Sequence, residues 1–303
     1  MTTAASTGVT AGGPGVSMTA PAPALGARPP RTSPATLLRG ALTAIFVLLL
    51  ALFILGPLGW LAIQAFLRSP SHFPALIPSD WSMQWWHTVF DDSSLSGAIT
   101  ASFIFAPTVT AVSAVICLPA AYAFSRYIFP GRRVFLIAIF AVNAFPKFGL
   151  FVALAGLFYT LNLMNSFTGV VIVQLLGTIV FMTWIPSAAF ASVPRSLEEA
   201  ARDAGAGPFT VFARVTLPLA APGILVAVIL SFLAAFDEAQ GTFLVGVPTY
   251  VTMPTEMYNL VGSYPPGTAA VFSILLTVPS MILMLLVRKH VMGGYLAEGF
   301  QLR

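Results

Sequence analysis

The sequence predicts an all-α integral membrane protein with six transmembrane helices and both termini in the cytoplasm. Composition, the length of the apolar runs and the sidedness of Lys and Arg carry that prediction. Of 303 residues, 57% are hydrophobic and 8% charged, whereas a soluble domain carries about a quarter charged residues. A water-soluble fold has no room to hide so much apolar surface, so the solvent is a bilayer. In lipid every backbone N–H and C=O must be paired internally, which leaves helices or a closed barrel. The apolar runs are about 20 residues or longer and do not alternate, which selects helices. With the N-terminus inside, Arg28, Arg31, Arg39, Arg126, Arg132, Arg133, Arg195, Arg202, Arg214, Arg288, Lys289 and Arg303 all fall on the cytoplasmic side. Only Arg68 falls outside and Lys147 lies within a span, a bias that sets the orientation.

Residues 1–38 are rich in Ala, Gly, Pro, Ser and Thr and read as a disordered cytoplasmic tail, because they lack the apolar residues a core needs. The transmembrane domain, 41–290, is expected to hold spans at Ala41–Leu67, Gly97–Phe124, Val134–Tyr159, Gly169–Ser192, Ala221–Val247 and Gly267–Val287, before a cytoplasmic tail at 291–303. Pro57, Pro107, Pro119, Pro146, Pro186 and Pro279 lie inside these spans and predict kinks. The outer segment Ser69–Ser96 carries Trp81, Trp85, Trp86 and His87 ahead of Asp91 and Asp92. It suits a short helix at headgroup depth, with interface anchoring the simpler reading of the tryptophans and ligand stacking the other. The outer loop Pro248–Pro266 is rich in Pro, Tyr and Met and has no cation. The single cysteine, Cys117, excludes an internal disulfide and reads as a small buried hydrophobe.

The inner loop Val193–Gly223 is longer than a connection requires. It reads as two short helices around a tight corner. Ser196 and Glu199 have capping-box spacing, and Glu198 and Glu199 sit where the first-turn dipole favours acids. Ala200, Ala201 and Ala204 continue a small-faced helix, and Gly205 tolerates the left-handed conformation after its end. Pro208 suits the first turn of the second helix, and Pro218 is expected to end it. A small-residue face edged by Glu198, Asp203 and arginines suits a groove on another protein, where backbone approach and charge register the contact. A solvated linker is the plainer alternative.

The order Glu199-Ala200-Ala201, three residues, Gly205, nine residues, Val215-x-Leu217-Pro218 resembles the EAA loop of binding-protein-dependent ABC importer permeases, with Val where Ile is commoner. The likeness extends from about Trp81 to the C-terminus and includes Ala121–Gly131 and the Gly-rich tail. The resemblance implies a type I importer architecture in which this loop, 193–223, docks on an ATP-binding cassette ATPase dimer. It also implies a second permease subunit of a different chain, and a periplasmic or lipid-anchored solute-binding protein. ATP and Mg would sit on the ATPase partner, with membrane lipid around the spans and no nucleic acid involved.

The chain carries no motor of its own. A phosphate cradle needs G-x-x-x-x-G-K-[ST], but Lys147 precedes Phe148 and Lys289 precedes His290. No H-E-x-x-H occurs, and His72, His87 and His290 lie far apart in sequence, so no cofactor or metal is expected on this chain. Charges at bilayer depth are costly and usually face a cavity or a partner. Lys147, Asp237 and Glu238 are therefore candidates for the solute path, joined by Asn143 and Gln240, with Gln174 equally explained by interhelical hydrogen bonding. Adjacent acids diverge on a helix, so only one of Asp237 and Glu238 is expected to face the pore. The competing reading is a structural Lys–carboxylate pair. On the solute the signals divide. Phe236-Asp237-Glu238 resembles permeases for polyamine-type cations, while Gly293–Arg303 is similar to the tail of sugar permeases. The expected solute is a carbohydrate or polyol, with a polyamine-type cation, or an ion-coupled secondary transporter, as alternatives.

Overall fold

The structure, a computed structural model, describes residues 34–68 and 80–294. Regular structure among them is helical, apart from one isolated bridge between Leu67 and Trp81. Residues 1–33 of the expected tail and 295–303 lie outside the described residues, as does His72; Pro34–Leu38 are already helical. The chain divides between Ile54 and Leu55 into two compact units. The first contains the N-terminal part of α1 (Pro34–Gln64), with Phe46 and Phe53 among its exposed apolar side chains.

The second unit holds α2 (Gln84–Asp91), α3 (Ser93–Arg126), α4 (Arg132–Ala141), α5 (Lys147–Thr160), α6 (Phe167–Ser192) and α7 (Arg195–Asp203). It continues with α8 (Pro208–Val211), α9 (Leu217–Phe236), α10 (Gln240–Gly246), α11 (Met253–Ser263) and α12 (Pro266–Gly294). Among the described residues, five helices are long and apolar enough to cross a membrane: Leu38–Gln64, Ser93–Arg126, Phe167–Ser192, Pro208–Phe236 and Pro266–Leu286.

Two expected spans are not single helices. Val134–Tyr159 is broken: α4 gives way to a 3-10 turn at Val142–Ala144, and α5 starts afresh behind Pro146. Proline withholds an N–H and disfavours helical backbone in the residue before it; Phe145 is accordingly extended, at φ −79°, ψ 147°. At 14 residues, α5 is only about 21 Å long, too short to cross by itself. The expected span Ala221–Val247 stops at Phe236, and α10 follows after Asp237, Glu238 and Ala239. By contrast, α1, α3, α6 and α12 run through Pro57, Pro107, Pro119, Pro186 and Pro279.

Helices α3, α6 and α9 form the centre of the second unit. Val109, Val170, Phe236 and Phe272 are buried together in its larger core, while Ala121, Phe190 and Ile224 close a separate cluster. Short polar side chains stitch the helices across these apolar faces. Ser187 Oγ donates to Ala121 O at 3.3 Å, and Ser231 Oγ donates to Thr178 O at 3.4 Å. Gln174 Nε2 donates to Thr242 Oγ1 at 2.9 Å, so Gln174 is buried glue between α6 and α10.

The segment before α3 is tied down rather than merely anchored. Trp85 Nε1 donates to Leu67 O, and the Trp86 ring lies 5.6 Å from that of Phe66. Asp92 caps α3 by accepting from Ser94 N and Leu95 N, and also accepts the Tyr264 hydroxyl at 2.9 Å. The Tyr264 hydrogen bond holds the Asp92 carboxyl below the usual carboxylate range, with the cap N–H groups adding to it against a partial desolvation cost. The segment Pro248–Pro266, expected as a loop, is largely helix α11. At Gly267 an added Cβ would run into the Trp85 indole. Gly267→Ala should therefore cost about 1–3 kcal/mol through overpacking and lower the Tm of the detergent-solubilised chain. Gly262→Ala, whose methyl group meets open space, should leave Tm unchanged or slightly raised; equal melting of the two variants would contradict this packing.

Candidate functional site

The corner after α6 begins two residues earlier than capping-box spacing predicts. The N-cap is Pro194, no side chain caps α7, and Ser196 lies inside the first turn. The extended Val193-Pro194 entry sets that start, because proline leaves the helix at its N-terminal edge. The far end matches the expectation. Gly205 adopts φ +87°, Ala206 N donates to Ala201 O at 3.0 Å, and Gly205 N donates to Arg202 O at 2.8 Å. This double closure satisfies the last carbonyls and requires a left-handed residue. Glu199, Ala200, Asp203 and Gly205 are exposed and Ala201 is half-buried, so these form the outward face of the corner.

Glu198 does not belong to that face. It is 3% exposed, and its Oε1 lies 2.7 Å from Arg126 Nη2 while accepting the Thr216 hydroxyl at 2.7 Å. Consecutive residues on a helix point about 100° apart, so once Glu199 faces out, Glu198 turns inward.

Pro218 does not end the second helix. Pro208 opens α8 at its first position, a π turn spans Phe212–Thr216, and α9 follows without a gap. Leu217 N–H reaches back five residues to Phe212 O. The hydrogen-bond ladder has thus already slipped by one residue where the missing N–H of Pro218 falls, and the helix continues. Leu217 is half-buried beside Phe190 and Ile224, and Pro218 is exposed. One helical rod therefore runs from Pro208 to Phe236.

At the far end of that rod lies a cavity of about 510 Å³, whose wall includes Lys147, Phe151, Phe181, Asp237, Glu238 and Gln240. The breaks before α5 and before α10 both open onto it. Because Asp237 and Glu238 lie beyond the last residue of α9, the divergence expected of adjacent helical acids does not apply, and both line the wall. Their roles still separate. Glu238 Oε1 accepts Gly241 N at 2.6 Å, and Oε2 accepts Thr242 N at 2.9 Å and the Thr242 hydroxyl at 2.7 Å. Glu238 thus closes the N-terminal turn of α10. Lys147, Asp237 and Gln240 are exposed, and Lys147 forms no ion pair with either acid, the ion pairs among the described residues being those of Glu198. Asn143 lies in the 3-10 turn ahead of α5.

Three residues of these sites were passed over at the sequence level. Arg126 counts there only as one more inner-side cation, although it is the last residue of α3, within the Ala121–Gly131 stretch. Thr216 shows no signal. Phe209 is 81% exposed beside Pro208, and in sequence it does not stand out from Leu197, Phe212 and Leu217 of the same loop.

A family model for binding-protein-dependent transport system inner membrane components matches residues 113–292. The trehalose transport system permease protein SugB of Mycobacterium tuberculosis is 29% identical over 224 residues, 72% of this chain and 82% of that protein. The maltodextrin transport system permease protein MdxG of Bacillus subtilis is 27% identical over 272 residues, 88% of this chain and 98% of that protein. A chain from the crystal structure of a bacterial ABC transporter involved in alginate import shares the fold, with a TM-score of 0.69 at 21% identity, over 86% of this chain and 99% of the other. The matched segment takes in both the α7 corner and the cavity. The chain belongs to the binding-protein-dependent transport system inner membrane components, a family of multi-pass ABC importer permeases.

Proposed function

We propose that this chain is the permease subunit of an ABC importer for a saccharide or polyol, driven by ATP hydrolysed on a partner. The observation that carries the reading is the unbroken rod Pro208–Phe236, with the exposed corner beside one end and, at the other, a largely apolar cavity that carries Lys147, Asp237, Glu238 and Gln240 on its wall. In this reading the six spans include α4 and α5 as one interrupted crossing, and both termini lie on the cytoplasmic side. Irregular backbone at membrane depth is tolerated where it lines a watery cavity, which supports the two breaks as part of the solute path.

Glu199, Ala200, Ala201, Asp203 and Gly205 form the face that seats in an ATP-binding cassette ATPase dimer, with Leu217 and Pro218 backing the corner. ATP and Mg are held by that partner. A second permease subunit of a different sequence completes the path, and a solute-binding protein delivers solute to the outer mouth. The chain performs no chemistry. Both carboxylate oxygens of Glu238 are engaged in capping α10, so Asp237 and Lys147 are the charged groups left to meet solute on the wall. The saccharide names of the relatives favour a polyhydroxylated solute, against the polyamine reading.

Glu199→Lys and Gly205→Glu should leave the chain inserted but cut binding-protein-stimulated ATP hydrolysis in reconstituted complexes by about tenfold or more, the scale of losing a hot-spot contact. Normal stimulation in both variants would contradict the docking face. Asp237→Asn should alter the preference among radiolabelled maltose, trehalose and sorbitol with assembly intact. Glu238→Ala should instead cost about 1–3 kcal/mol by orphaning the α10 N–H groups, read as a lower yield of folded chain. If Asp237→Asn lost assembly and Glu238→Ala did not, the two roles would be reversed.

A further inference from the structure

The two acids at 198 and 199 do different work. Among the described residues, Arg126 and Glu198 form the ion pair with both side chains buried, at 7% and 4% exposure and 2.7 Å. It joins the last residue of α3 to the middle of α7. The same carboxylate takes the hydroxyl of Thr216, the last residue of the π turn that leads into α9. Arg126 Nη2 also donates to Val193 O at 3.1 Å, and Arg195 Nη2 donates back to Arg126 O at 3.2 Å. Arg202, itself half-exposed, reaches the second Glu198 oxygen only at 3.7 Å. The nearby wall is aromatic: the Tyr122 ring meets those of Phe190 and Phe212 edge-on at 5.5 and 5.0 Å.

A buried ion pair is no better a source of stability than apolar side chains of equal volume. Its distinguishing property is resistance to separation, because any slide that parts the charges leaves both unpaired away from water. Such a link transmits force. We infer that Arg126 and Glu198 are positioning residues that clasp α7 to the end of α3, so that a push on the docking corner moves α3 together with the Pro208–Phe236 rod. The clasp rests on the docking reading above and adds a second path into the membrane domain. The rod is joined to the corner through the backbone, whereas α3 is joined through this carboxylate.

The test uses the full importer in nanodiscs, with Cys117→Ala and spin labels at Ile116→Cys on α3 and Ser196→Cys on α7, two exposed positions. Electron-electron resonance reads the distance between them without nucleotide and after vanadate trapping with ATP. With the clasp intact, the distance should form one narrow peak with the same mean in both states. In Glu198→Gln the peak should shift and broaden only after trapping, while the ATPase subunit still co-purifies. Since an unpaired Arg126 could unfold the corner, the charge-free double variant Arg126→Gln/Glu198→Gln is measured alongside, with the same shift expected. A merely structural role would alter both nucleotide states alike. An ATP-dependent distance in the native chain, or an invariant one in the double variant, overturns the clasp alone. Full coupling in Glu199→Lys overturns the docking reading and the clasp with it.

Discussion

Inside a bilayer a backbone amide has no water to fall back on, and this constraint governs the whole molecule. Most of the chain meets it with long helices, even where prolines remove single hydrogen bonds. Where the ladder does break, another group takes up the loss or the break opens onto a cavity. Ahead of Pro146 the chain passes through a 3-10 turn, and α5 starts directly behind it. After Phe236 the Glu238 carboxylate accepts the N–H groups that α10 leaves unpaired. Both breaks meet at one cavity wall.

The same accounting explains why the corner at α7 can stand exposed. Its last carbonyls are closed by Gly205 and Ala206, so the turn needs no neighbour to cover it. Its one inward carboxylate is satisfied by Arg126 and Thr216. What remains outward is Glu199, Ala200, Asp203 and the bare ring of Phe209, a surface of small, charged and apolar groups suited to a partner's groove. The π turn then lets the chain pass Pro218 without stopping, so one helix runs from beside the corner to the cavity.

Several features were legible in the residues themselves. Apolar run length and charge scarcity specify helices in lipid, because backbone pairing in that solvent admits little else. Gly205 announces its left-handed turn, since a side chain there would be strained, and the spacing from Glu199 to Pro218 marks the corner. These are properties of single residues or of short, local runs.

Other features depended on partners distant in sequence. Nothing near Glu198 says that it turns inward; Arg126 and Thr216, on two other helices, decide that. Nothing near Glu238 says that it caps a new helix rather than extending the old one, and only the break after Phe236 brings Asp237 and Glu238 onto one wall. Pro146 and Pro119 look alike in sequence, yet one stands at a break between helices and the other is carried through. Local chemistry fixes what each residue is able to do, but a carboxylate or a proline has several ways to be satisfied, and the choice among them belongs to the neighbours that packing supplies.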